Sequence, residues 1–234
     1  MTTRGLWLIA AGIVLSVVLV QSASAAAAAD EGPEFYVAAY GGLTIPQSLK
    51  EVESSGVSPE FTFSNLDLKN SAVFGGKFGF FLPGRDRWSG VEAEFYYTNP
   101  HIKQQNVTTT IPSVGFSSTD PFPGAHVRVA ALAVNWILRY PGEWFQPYIG
   151  VGPGLFWGRI SGNEPNGAGN NFGTGSDTAI GLNALGGARI FFSKRLALFG
   201  EYKYNRVKFD FGGNVNLEAL YQAQHIVGGL LVQF

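Results

Sequence analysis

From about residue 35 onward, apolar and polar residues alternate one by one in successive runs, the two-residue repeat of a strand whose faces meet different surroundings. In WSGVEAEFYYT (Trp88 to Thr98), Val91, Ala93, Phe95 and Tyr97 form one row, and Glu92, Glu94 and Tyr96 the other. In SAVFGGKFGFFL (Ser71 to Leu82), Ala72, Phe74, Gly76, Phe78 and Phe80 leave Lys77 among small residues on the opposite row. In HVRVAALAVNWILRY (His126 to Tyr140), Ala130, Leu132, Val134, Trp136 and Leu138 oppose Asn135 and Arg139. In LALFGEYKYNRVKF (Leu196 to Phe209), Leu196, Leu198, Tyr202 and Tyr204 oppose Glu201, Lys203 and Asn205. With FYVAAYGGL (Phe35 to Leu43), PYIGVGPGLFWGR (Pro147 to Arg159), TAIGLNALGGARIFF (Thr178 to Phe192) and the last run to Phe234, the pattern predicts about eight strands.

The connections alternate in length. PGRDR, PGEWFQ and SKR are tight turns, whereas long polar segments fill Ile45 to Leu68, Asn99 to Gly124 and the glycine-rich stretch from Gly162 to Gly175. Even-numbered antiparallel strands with long loops at one end and short turns at the other predict an up-and-down β-barrel, and runs of about ten residues suffice to cross a bilayer when tilted. FTFSNLDL and KQQNVTTTI also alternate, which predicts that the first two long loops carry the sheet outward.

Alternation alone leaves open which row is inside. A membrane barrel turns its apolar row outward and a lipocalin-like barrel turns it inward. The charges are few and of both signs, and they sit mid-strand among glycines, as a crowded lumen requires. The membrane arrangement follows, and Lys77, Glu92, Glu94, Arg139, Glu201 and Lys203 are expected to pair in the lumen, since an isolated buried charge is costly. Eight strands enclose a space that side chains fill, which argues against a wide pore.

Composition narrows the function. With 16 basic and 17 acidic residues in 234, the chain has no polyanion signature, so nucleic acid is not expected as a partner. Cysteine is absent, which excludes thiol chemistry and thiolate metal sites. His101, His126 and His225 lie far apart without metal-ligand spacing. No cofactor, metal or catalytic residue is assigned. MTTRGLWLIAAGIVLSVVLVQSASA has Arg4 before an apolar run too short for a spanning helix, then Ala23 and Ala25 in cleavage-site positions. Residues 1–25 are expected to be a signal peptide, cleaved between 25 and 29, with the barrel domain over 30–234.

The first strand FYVAAYGGL, the pair VNWILRYP and QPYIGVGPGLFWG, the segment LFGEYKYNRVKF and the terminal IVGGLLVQF together resemble the OmpA/OmpX-type small outer-membrane β-barrel family, also described as opacity or porin-like. The resemblance covers essentially the whole mature chain. It implies an eight-stranded barrel in the bacterial outer membrane, in contact with its lipid and lipopolysaccharide. It also implies insertion by the barrel assembly machinery, with Phe234, Val232, Leu230 and Ile226 resembling the signal read during assembly. A peptidoglycan-binding domain of the kind that follows the barrel in full OmpA-like proteins is not expected in this chain. Lipid A acylhydrolases of similar size carry a His with Ser two residues later; here His101, His126 and His225 are followed by Lys103, Arg128 and Val227. The expected role is non-enzymatic: envelope integrity and adhesin-like surface contact through the loops, with an extracellular ligand or host surface as partner. A narrow ion channel, a lipid A-modifying enzyme and a secreted lipocalin-like binder are the alternatives.

Overall fold

The computed structural model describes residues 32–54, 62–63, 66–83, 87–122, 124–162, 174–213 and 217–234. The expected signal peptide and its cleavage site fall outside them. Pro33–Phe234 forms one compact unit. Its strands in chain order are β1 (Glu34–Pro46), β2 (Lys50–Ser54), β3 (Thr62–Phe63), β4 (Leu68–Lys69), β5 (Ser71–Phe81), β6 (Ser89–Thr98), β7 (His101–Ile102), β8 (Gln105–Ile111), β9 (Phe116–Phe122), β10 (Ala125–Arg139), β11 (Phe145–Gly162), β12 (Thr174–Phe191), β13 (Leu196–Gly213) and β14 (Leu217–Gln233).

Eight of these strands form the barrel wall. They pair antiparallel in the order β1, β5, β6, β10, β11, β12, β13, β14, and β14 returns to β1. The closing seam runs from Tyr36 opposite Gln233 to Pro46 opposite Ala223. Backbone bonds between Phe35 and Phe234, at 3.1 Å and 2.9 Å, extend it to the final residue. Closure leaves the wall no free edge, the condition for a sheet that has no water to satisfy its backbone.

The wall is uneven in height. β10 to β14 have 15 to 18 residues each, whereas β1, β5 and β6 have 13, 11 and 10. Above the short side, the first two long loops rebuild the wall. β2 takes over from β1 as the partner of β14, β3 joins β2 to β8, and β4 and β7 connect to the upper end of β10. β8 and β9 form a hairpin whose turn contains Gly115 at φ 65°, a backbone conformation that favours glycine. The sequence marked FTFSNLDL and KQQNVTTTI as alternating; the structure adds that their strands join the barrel through β2, which pairs with β14, and β7, which pairs with β10. The glycine-rich loop lies mostly outside the described residues.

The two faces are sorted as the alternation predicts. On β10, Val134 is 49% exposed and Trp136 57%, while Asn135 between them is 0% exposed. Phe74, Phe78, Phe95, Ile149, Ile180, Leu198, Ile226 and Leu230 continue the outward apolar belt around the barrel. This arrangement is the inverse of a lipocalin. Arginine at position 134 should therefore lower the unfolding free energy in phospholipid vesicles by about 2–4 kcal/mol. Ser117→Arg on the projecting hairpin should stay within about 0.5 kcal/mol of wild type. Urea titration followed by tryptophan emission checks both.

Candidate functional site: the filled lumen and the extracellular sheet

The inward row of β13 shows how the lumen is layered: Glu201 and Lys203, then Asn205, then Val207, Phe209 and Phe211, all buried. Each layer is completed by residues brought in from other strands.

The charged layer joins β5, β6, β12 and β13. The Lys77 ammonium lies 3.0 Å from Glu92, 2.7 Å from Glu201 and 3.6 Å from Glu94. Lys203 pairs with Glu94, and Arg189 approaches Glu92 at 4.0 Å. Lys77, Lys203 and Arg189 thus face Glu92, Glu94 and Glu201, three charges of each sign. Tyrosines add further donors: Tyr36 donates to Glu92 at 2.8 Å, Tyr148 to Glu201 at 2.8 Å, and Tyr40 to the Glu94 oxygen that Lys203 also engages, while Glu94 Oε2 is buried without a hydrogen-bond partner among the described residues. Tyr36 and Tyr40 lie across Gly79 and Gly75, where a Cβ would come within 2.4 Å and 2.3 Å of the rings or their hydroxyls. Those two glycines make room for the tyrosines on β1 to reach β6. The Arg189 guanidinium sits 4.1 Å from the Tyr36 ring centre and 4.8 Å from that of Tyr148, within cation-π distance of each.

Above this lies a layer of amides, hydroxyls and an imidazole. Asn183 donates to Asn135 at 2.7 Å and Asn205 to Asn183 at 2.6 Å. Asn205 also accepts from Tyr96 at 2.7 Å and meets His225 Nε2 at 2.7 Å. Thr44 links His225 Nδ1, at 2.9 Å, to Thr98, at 2.8 Å. The upper lumen is apolar. Phe156, Ile160, Val207, Phe209, Phe211 and Tyr221 belong to one buried cluster with Leu49, Leu66, Leu68 and Ile102 from the first two loops.

Of the six charges singled out in the sequence, five meet in one network. The sixth, Arg139, does not join them. It lies at the tight-turn end, where its guanidinium pairs with Glu34, donates to Gln146 at 3.1 Å and covers the Phe81 ring at 3.6 Å. The reason is register: Arg139 is the last residue of β10, two inward positions beyond Asn135. Glu34 and Arg189 went unassigned because neither stands in a run that shows charged and apolar rows side by side. The sequence spacing of the histidines also concealed a pair. His101 and His126 face each other across β7 and β10 with ring centres 4.1 Å apart. Partial burial, and then the neighbouring His126, holds His101 below the ordinary histidine range. Among the described residues no group of three metal-ligating side chains occurs.

An eight-stranded closed wall with an apolar exterior and a charge-paired interior defines a transmembrane β-barrel. Residues 13–234 match the outer membrane protein beta-barrel domain family, and the chain belongs to that family. It is therefore a bacterial outer-membrane protein, oriented with tight turns in the periplasm and long loops outside. Among solved structures it is similar to OprG of Pseudomonas aeruginosa, with 15% identity, TM-score 0.53, and coverage of 87% of this chain and 97% of that one. It is also similar to Ail, the attachment invasion locus protein of Yersinia pestis, solved with the heparin analogue sucrose octasulfate, with 14% identity, TM-score 0.46, and coverage of 87% and 99%. Neisserial surface protein A is similar at 15% identity and TM-score 0.47, over 87% and 100% of the two chains. At these identities the likeness to OprG concerns the fold alone. No curated protein matches the chain.

The charged layer should behave as a unit. Lys77→Met leaves Glu92 and Glu201 without their shared buried cation, and is expected to destabilise the barrel by about 3–5 kcal/mol. Lys77→Met with Glu201→Met should recover part of that loss. The temperature at which the folded gel band disappears reads both.

Proposed function

We propose that this protein is a non-conducting, non-enzymatic scaffold of the outer membrane that contributes to envelope integrity and presents a rigid extracellular sheet for surface contact. The observation that carries this reading is the extension of the sheet from β14 through β2, β3, β8 and β9, with Leu49, Leu66, Leu68, Ile102 and Val107 of the first two loops in the same buried apolar cluster as β10 to β14. A contact surface built this way is held by backbone pairing to the barrel, so little ordering entropy remains to be lost on binding. β9 forms the outer end of the sheet and carries Asp120 and Pro121, which discourage indiscriminate strand addition. The buried carboxylates support a structural role, since each is engaged by a cation or a tyrosine.

We further assign Ile226, Leu230, Val232 and Phe234 to recognition by the barrel assembly machinery. Ile226, Leu230 and Phe234 are exposed on the outward row of the strand that closes the wall.

The test replaces residues 105–122, the β8–β9 hairpin, by a two-residue turn. Adhesion of cells expressing the variant to epithelial and abiotic surfaces is expected to fall to background while the barrel keeps its heat-dependent shift on gels. Unchanged adhesion with an intact barrel would contradict the contact role.

A further inference from the structure

Arg128 on β10 and Arg159 on β11 stand directly opposite each other in the antiparallel register, and both are exposed. Like charges directly opposed across a strand pair destabilise it unless something lies between them. No ion pair joins either arginine to a carboxylate among the described residues. Asp177 lines the same hollow, but its carboxylate is already held by backbone N–H groups, those of Thr178 at 2.6 Å and Asp210 at 2.8 Å.

Below the two guanidiniums, the hollow becomes apolar. Ala130 is in register with Tyr97 on one side and Trp157 on the other, so a small residue lies between two partly exposed rings. Ser176 and Thr178, opposite Arg159 and Trp157, border it with hydroxyls. The level matters as much as the lining. On β10 the outward row changes from Leu132, Val134 and Trp136 to Arg128 and His126 at this point, and on β11 from Leu155 and Trp157 to Arg159. The hollow straddles the height at which the apolar belt gives way to water.

We propose that this hollow binds a phosphorylated, acylated glycolipid of the outer leaflet, the lipid A anchor of lipopolysaccharide. Its phosphate bridges Arg128 and Arg159, and an acyl chain lies over Ala130 between Tyr97 and Trp157. Guanidinium groups offer planar, paired donors that suit a phosphate, and a bridging dianion converts the opposed like charges from a cost into a clamp. A soluble anion would use the arginines but not the cleft, whereas an amphiphile anchored in the leaflet uses both. The proposal rests on the membrane scaffold reading for the depth of the site, and the test separates the two.

The full chain, extracted from outer membranes and exchanged into a neutral detergent, is titrated with bisphosphorylated lipid A, with dephosphorylated lipid A and with inorganic phosphate. Bound lipid is read by native mass spectrometry. The wild type is expected to bind bisphosphorylated lipid A about tenfold or more tightly than the dephosphorylated form. Arg128→Gln with Arg159→Gln is expected to lose that preference while binding the dephosphorylated form unchanged. Equal retention of the two lipids by the wild type, or equal retention of bisphosphorylated lipid A by the wild type and the double variant, would overturn the proposal. Displacement of lipid A by equimolar inorganic phosphate would also overturn it and assign the arginines to a free anion. A heat-shift gel on the same samples reports the barrel separately: a wild type with no shift contradicts the scaffold, not the site. Should the double variant fail to fold, the comparison of the two lipids on the wild type still decides.

Discussion

A strand that runs from lipid into water must exchange which of its two rows is apolar. The tall strands of this barrel make that exchange without changing direction. On β13 the outward row reads Leu198, Tyr202 and Tyr204, then Arg206, Lys208 and Asp210; the inward row reads Glu201, Lys203 and Asn205, then Val207, Phe209 and Phe211. β10 and β11 change over in the same sense. In hydrocarbon the exterior must be apolar and the interior takes the charges; above it, the same tall strands turn their polar row to water and their apolar row to a hydrophobic core. Most other features of the structure follow from this inversion.

The lower lumen has to solve the problem of buried charge. Three cations and three carboxylates face one another between the strands, and tyrosines donate to each of the carboxylates. Such a network is marginal as a source of stability, yet removing one member leaves its partners uncompensated, so the set is held together by the cost of breaking it. The upper lumen solves the opposite problem. Loop residues Leu49, Leu66, Leu68 and Ile102 enter the apolar cluster, so the extracellular sheet is packed onto the barrel rather than hung from it.

The faces of the barrel were legible because period-two alternation is a local signal: Glu92 and Glu94 beside Val91, Ala93 and Phe95 report their rows without any knowledge of neighbouring strands. Partners across the lumen were less accessible. Lys77 and Glu201 are separated by 124 residues and meet only because closure brings β5 opposite β13, a consequence of strand count and register. Arg139 shares the inward row and a charge with the others, but its height in the barrel sends it to Glu34 instead. Arg189 follows a small-residue stretch, Gly186, Gly187 and Ala188, in which no alternation could be read. Strands of two residues, such as β3, β4 and β7, have no periodicity of their own and exist because neighbouring strands offer them an edge: β10 for β7, β7 for β4, and β2 and β8 for β3.

The chain contains no cysteine, so single thiols report their surroundings without background. The most direct measurement compares Val134→Cys, Asn135→Cys and Ser117→Cys in reconstituted vesicles, using a charged water-soluble maleimide and a lipid-soluble one. Position 134 should react only with the lipid-soluble reagent, position 117 with the water-soluble one, and position 135 with neither. Labelling of position 135 by the charged reagent would mean an open, water-filled lumen. Labelling of position 134 by that reagent would mean that the outward row faces water, and the inversion described above would not exist.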